Sequence, residues 1–400
     1  MRDDSATAVV SARGAARIRS GHPWVFRTDV VRGPPRDAGD GGPTLVAVED
    51  GRGKPLGVAT WAARARLALR MIARGPEARP RPLIELVGER LGAALEGRLA
   101  LGLDRDAYRI VHAESDGLPG LVVDRYADAA VLQTTSVAMN AARGEIAALV
   151  RARLDARVVI ARDDGSARDF EELPRFAGIL AGSGARIVYR LGENRLEADL
   201  LADGKTGGFL DQADNQATVA ALAPPGARAL DAFTYHGGFA LALARRGGEV
   251  LAVDESEAAV ARAAANARRN DLPNLRVERA NSFDLLRTLE SRGELFDVVV
   301  IDPPALAKRG GAAAVETAAR AYKELILRGA RLTRPGGLLC ACSCSGRITR
   351  AHWEEICADA IADAGRAAQV LGRAGAGRDH PELCGVPETG HLKAWLFRML

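Results

Sequence analysis

The sequence predicts an α/β protein: a mainly parallel, doubly wound sheet from about residue 190 onward, preceded by a small β-rich barrel and a middle α+β domain. Three observations predict it. Past residue 190, short apolar runs ending in Asp or Ser alternate with helical stretches, the pattern of right-handed βαβ crossovers. Before residue 76 the chain reads as short strands broken by Gly and Pro. Between Pro76 and Pro82 lies a proline-bearing linker that separates the first segment from the second. The expected domains are therefore 1–76, 77–189 and 190–400.

In the first segment, Leu45–Glu49 and Leu67–Ile72 are strand-like, and a Gly- and Pro-rich loop runs from Gly33 to Pro43. Arg17 to Phe26 mixes cations with Trp24 and Phe26, rings that can stack on bases or simply serve as core. In the second, Leu83–Leu101 places Leu83, Leu86, Val87, Leu91 and Leu95 on one helical stripe. Strands follow at Arg109–Ala113, Leu121–Tyr126 and Ala130–Thr134, then a helix over Ala138–Leu154 and a strand at Val158–Ile160. In the third, strands are expected at Ala229–Phe233, Glu249–Asp254, Leu275–Arg279, Phe296–Ile301 and Gly337–Ser343, with helices at Gly238–Arg246 and Glu255–Arg269.

Composition narrows the class. Of 400 residues, 48% are hydrophobic and 26% charged, a globular profile with room for two or three domains at about 150 residues each. No uncharged apolar run reaches about 18 residues and the N-terminus lacks a signal-peptide core, so a cytoplasmic enzyme is expected. Five cysteines do not suit a disulfide framework, and the alternation of Cys340, Cys342 and Cys344 is unlike paired zinc ligands, so no metal is expected. The net charge of +4 is unevenly spread. Residues 1–80 carry 14 basic and 8 acidic side chains, leaving the remainder slightly acidic. Such a basic module suits a phosphate-bearing partner, although a solvated Arg-rich surface would look the same.

The chemistry is concentrated at strand ends. Asp231 to Phe239 (Asp-Ala-Phe-Thr-Tyr-His-Gly-Gly-Phe) turns the first strand into a helix, and its glycines let backbone approach a ligand. Asp254 ends the second strand, placed for ribose hydroxyls; Asn281 follows the third, placed for an adenine edge; Asp302-Pro303-Pro304 ends the fourth. All lie where open α/β sheets bind ligands. Neither a G-x-G-x-x-G turn nor a P-loop is present. The set resembles the ordered motifs of class I S-adenosylmethionine methyltransferases. That resemblance implies a cofactor pocket of Asp231, Phe233, Tyr235, Gly237, Gly238 and Phe239, then Asp254, Glu255 and Ser256, then Asn281 and Ser282, then Asp302 and Pro303. Tyr235 stands where the usual pattern has its first glycine.

Ser343-Cys344-Ser345-Gly346 ends the fifth strand. Carbon-5 of cytosine becomes nucleophilic only when a thiolate adds to carbon-6, which requires an accessible cysteine facing the cofactor. Cys340 and Cys342 suit a buried small-hydrophobe role; Cys344, between serines, suits the nucleophile. Asp302 is then the partner for the cytosine amino group or ring nitrogen. Ala305 occupies the place of the aromatic found after Asp-Pro-Pro in amino-group methyltransferases of bases, which weakens that alternative without removing it.

The chain as a whole resembles the bacterial large-subunit ribosomal RNA cytosine-5 methyltransferases. The likeness rests on His22–Phe26, Asp116–Asp124, Gly204–Gln212, Phe233–Phe239, Asp302–Pro304, Tyr322-Lys323 and Ser343–Gly346. It implies an N-terminal PUA-like RNA-binding domain, a Rossmann-like catalytic domain, Cys344 as nucleophile, and Phe209, Asp211 and Gln212 framing the cofactor. Large-subunit ribosomal RNA is the implied partner, with Arg17, Arg19, Trp24, Lys308 and Lys323 as candidate RNA contacts and 5-methylcytosine as product. A homodimer is compatible with this reading, and a catalytically inactive RNA-binding relative is its non-enzymatic alternative. Ala305, Leu306 and His236 depart from the family pattern, and bear on substrate contacts rather than on fold.

Overall fold

The structure is a computed structural model; it describes residues 7–34, 45–307 and 311–400. The expected Gly33–Pro43 loop therefore falls largely outside the described residues. So does Lys308.

The first sheet collects β1 (Thr7–Val10), β2 (Trp24–Phe26), β3 (Val30–Arg32), β4 (Leu45–Asp50), β5 (Pro55–Trp61) and β6 (Leu67–Arg74) in the order β2-β6-β5-β4-β1-β3. Helix α1 (Ala12–Arg19), which the sequence pattern does not announce, is started by Ser11, whose hydroxyl accepts from the Gly14 amide. The second sheet holds β7 (Ala107–His112), β8 (Leu121–Tyr126), β9 (Ala129–Thr134), β10 (Val158–Asp163) and β11 (Phe176–Gly182), in reverse order. Against it pack α2 (Leu83–Ala100) and α4 (Arg143–Leu154), with the short α3 (Val137–Ala141) between β9 and α4. The stripe expected on α2 is the buried one: Leu83, Leu86, Val87 and Leu91 join the core of that sheet. The Asp116–Asp124 motif is scaffolding here. Asp116 takes both nitrogens of Arg98 at 2.9 and 2.6 Å, and buried Asp124 takes Arg109 and the Thr206 hydroxyl.

Among the described residues, β12 (Arg186–Leu191) and β13 (Asn194–Asp199) pair only with each other. The large sheet follows: α5 (Ala213–Leu222), β14 (Ala229–Ala232), α6 (Gly238–Ala244), β15 (Val250–Asp254), α7 (Glu257–Arg269), β16 (Leu275–Arg279), α8 (Ser282–Ser291), β17 (Phe296–Ile301), α9 (Ala312–Leu332), β18 (Thr333–Ser343), α10 (Arg350–Asp363), β19 (Ala368–Ala374) and β20 (Lys393–Met399). Its order is β16-β15-β14-β17-β18-β20-β19. The five strands read from the sequence are parallel, and two more extend the sheet: β20, antiparallel to β18, and β19, antiparallel to β20. Central strands such as Phe-Asp-Val-Val-Val-Ile in β17 are nearly continuously apolar because helices cover both faces. The core under the sheet includes Phe296, Tyr322, Trp353 and Phe397.

The chain forms two compact units. One takes most of the chain to Tyr189 with Ala198–Gly208 and Pro381–Thr389; the other takes Arg190–Glu197, Phe209–His380 and Gly390–Leu400. Among the described residues no helix is long and apolar enough to cross a membrane, and no cluster of metal-ligating side chains occurs.

Candidate active site

The chain winds outward from β14 through β15 to β16, then returns to β17 on the other side. A crevice therefore opens at the carboxyl ends of β14 and β17, where connections diverge. Asp231, Asp254, Asn281, Asp302 and Cys344 all lie at or just beyond the carboxyl ends of the parallel strands β14 to β18.

Asp231, at the end of β14, is buried, and its Oδ2 accepts from the Thr234 hydroxyl at 2.6 Å and the Ala240 amide at 3.0 Å. Its Oδ1 has no hydrogen bond among the described residues. Burial pushes this carboxyl up to about 6, against the two hydrogen bonds, with a small addition from Asp254. The turn beyond it carries positive φ at Phe233 (74°), Tyr235 (49°) and Gly237 (90°). Tyr235 thus adopts the left-handed geometry that the usual glycine supplies, held by its amide donating to Asp254 Oδ2 at 2.9 Å. Its ring meets Phe209 edge-on at 4.8 Å between centroids and stacks on His236 at 3.7 Å. Burial, assisted by Arg262, drives His236 down to about 3, so it is neutral. At Gly238 the backbone lies close against the end of the Gln216 side chain: a Cβ there would lie 2.2 Å from Gln216 Nε2. Phe239 is buried behind it.

Asp254 also accepts the Ser256 amide, and Ser256 caps α7, while Glu255 is exposed beside them. Asn281 differs from expectation in one respect. Its side-chain oxygen is occupied in capping α8, accepting from Phe283 and Asp284, so only its amide N–H groups remain for an adenine edge. Ser282 is buried under it. After β17, Asp302 Oδ2 receives Gln212 Nε2 at 3.0 Å, and Pro303 is buried. Gln212 is oriented by Asn215, whose amide donates to its Oε1 at 2.6 Å. Asp211 is buried, 3.4 Å from His391 Nε2.

Cys344 follows the last residue of β18. It is half-buried, whereas Cys340 and Cys342 are fully enclosed with their sulfurs 3.8 Å apart. Cys340 and desolvation push the Cys342 thiol well up, which keeps it inert. Ser345, next to Cys344, is pinned: its Oγ meets the Tyr322 hydroxyl at 2.8 Å and receives the Ala307 amide at 3.2 Å. The Asp302–Ala307 loop is thereby tied to the cysteine turn. Tyr322, Ser345, His391 and Lys393 carry no role in the sequence reading. A lysine inside the apolar run Leu392–Phe397 is the legible sign.

The candidate RNA contacts fare unevenly. Trp24 Nε1 donates to Glu114 at 2.9 Å, and its ring lies 5.9 Å under Arg70 and edge-on to His22. It is a half-buried ring whose Nε1 is engaged by a carboxylate. Arg19 is neutralised by Asp50, and Lys323 by Asp363 at 2.8 Å. Arg17, over Phe26 at 4.9 Å, instead lines a mainly basic pocket of about 280 Å³ with Arg27 and Arg66, and with Arg13, which is paired with Asp29 at 2.6 Å in the same lining; sequence reasoning missed these three arginines.

The strand order and the loop-end carboxylates define a class I methyltransferase. A methyltransferase-domain model matches residues 224–376 and a PUA-like-domain model residues 9–74. The crystal structure of SMU.776 complexed with SAH shares the fold at a TM-score of 0.81, covering 98% of this chain and all of that one at 17% identity. Ribosomal RNA large subunit methyltransferase I of Tolumonas auensis is 36% identical over 95% of this chain and 96% of its own, and that of Aeromonas hydrophila 35% identical over 98% of each. The chain belongs to the ribosomal RNA large subunit methyltransferase I family.

Proposed function

We propose that this chain methylates carbon-5 of a cytosine in large-subunit ribosomal RNA, using S-adenosylmethionine and a covalent adduct through Cys344. The observation that carries the mechanism is the selective exposure of Cys344, at the end of the strand next to the one that Asp302 closes, among three alternating cysteines. The ribosomal substrate is that named for its relatives at 36% and 35% identity. We assign RNA binding to residues 1–76 and catalysis to 190–400, with 77–189 as the intervening domain.

The pocket suits S-adenosylmethionine. The unsatisfied Oδ1 of buried Asp231 is complementary to a cationic ammonium, and Asp254 retains acceptor capacity for ribose hydroxyls. When bound, the cofactor supplies an electrophilic methyl group. Cys344 Sγ, as thiolate, adds to carbon-6 and forms the S–C6 bond; the displaced ring electrons make carbon-5 the nucleophile that takes the methyl. Loss of the carbon-5 proton then restores the C5–C6 double bond and expels the thiolate. Asp302, oriented by Gln212, holds the cytosine amino group or protonated ring nitrogen as charge develops.

The test is Cys344→Ala with labelled cofactor and ribosomal RNA, products mapped by mass spectrometry. Loss of 5-methylcytosine with intact cofactor binding is expected. Full retained transfer would sink the adduct and favour amino-group methylation; no transfer by the native protein to any RNA would favour a binding-only relative.

A further inference from the structure

Lys393 is buried to 1% exposure, and its Nζ donates to three carbonyls: Ser345 at 2.7 Å, Ile348 at 2.9 Å and His391 at 3.0 Å. An ammonium has three N–H bonds, so these acceptors saturate its donors while returning no negative charge. A buried cation in neutral company is costly unless an anion lies close. The register of the antiparallel pair sets Lys393 opposite Ser343, one residue before Cys344, and two of its acceptors lie just beyond the cysteine on the same turn.

Resting on the reading of Cys344 as nucleophile, we propose that Lys393 is its positioning residue: the ammonium holds the Ser345–Ile348 turn that presents the thiol and places a fixed positive charge behind it, favouring the thiolate. Burial lowers the Lys393 ammonium to about 8, and the Cys344 charge works against that lowering. The pair is thus mutually supporting: each charge is stabilised by the other. The other charged or titratable groups that act on the two are Arg350, whose positive charge opposes the ammonium, and the Tyr322 hydroxyl, which senses the Cys344 charge. Tyr322 anchors Ser345 from α9 while Lys393 anchors it from β20, so the turn is held by two separate elements.

The experiment is peptide-resolved alkylation of the native protein with iodoacetamide across pH. Exposed Cys384 provides an internal reference, and Cys340, Cys342 and Cys357 are buried. Cys344 should titrate below Cys384. In Lys393→Met, its midpoint should rise by about one pH unit, a tenfold loss of alkylation rate near neutrality, and Lys393→Arg should recover most of it. A native Cys344 midpoint at or above that of Cys384, or an unmoved midpoint in a Met variant with native circular dichroism, overturns the proposal. If the Met variant does not fold, the native comparison still decides. Thiol titration needs no methyl transfer: a Cys344→Ala enzyme that remained active would refute the adduct while leaving the alkylation result to judge Lys393.

Discussion

Gln212 and Asp302, ninety residues apart in the chain, meet through one 3.0 Å hydrogen bond at the switch point of the large sheet. Because Asn215 fixes which end of the Gln212 amide faces Asp302, the carboxylate receives a donor of set direction. Gln212→Leu should lower kcat by about ten- to a hundredfold, the worth of about 1.5–3 kcal/mol for a hydrogen bond to a charged group. Single-turnover methylation checks this, with thermal unfolding as control.

Asp231→Asn separates stability from binding. The folded carboxyl titrates at about 6, above its ordinary 3.8, so the folded state binds more protons between those values and native stability falls as pH rises through them. At neutral pH the ionised carboxylate therefore strains the cofactor-free protein. The Asn variant should melt no lower than native at pH 7.5, show a flatter melting-temperature profile between pH 4 and 6.5, and bind S-adenosylmethionine at least about tenfold more weakly. Calorimetry of melting and binding reads both.

Tyr322→Phe removes the hydroxyl that meets Ser345 Oγ and receives the Leu306 amide, while keeping the ring edge-on to Trp353. A loss of about 1–2 kcal/mol in unfolding free energy is expected, together with a fall in kcat larger than any rise in KM. Denaturant titration and steady-state kinetics give the two numbers.

Arg17→Ala and Arg19→Ala should differ, although both residues stand in the last turn of α1. Arg17 lines the basic pocket, whereas Arg19 is already paired with Asp50. Filter binding from about 50 to 200 mM salt should show the log–log slope reduced by about one for Arg17→Ala and little changed for Arg19→Ala.

Strand ends are the most legible part of this molecule. Apolar runs closed by Asp254, Asp302 and Cys344 announce both the strand and the loop that carries chemistry, because a parallel sheet puts them together. What escapes depends on partners distant in sequence. Trp24 and Arg19 read as available because Glu114 and Asp50, which occupy them, are brought in only by the fold. Asn281 serves a local need, a helix start, at a position read as ligand-facing. Strand β19, with most of its residues exposed, has little apolar signal and is defined by β20 beside it. Lys393 gives one hint only, a charge in an apolar run, and its role rests on three carbonyls that no spacing rule specifies.

The unit formed mostly by the N-terminal half is completed by Pro381–Thr389, where the Thr389 carbonyl lies 3.3 Å from His112 and Glu388 lies 3.6 Å from His22. During translation, at about 5–20 residues per second, roughly 10–40 seconds separate the emergence of the unit's first long stretch from that of its last. The half that is made first thus lacks its last contacts for most of the time that the rest of the chain is being made, and depends on the ribosome to deliver its final piece.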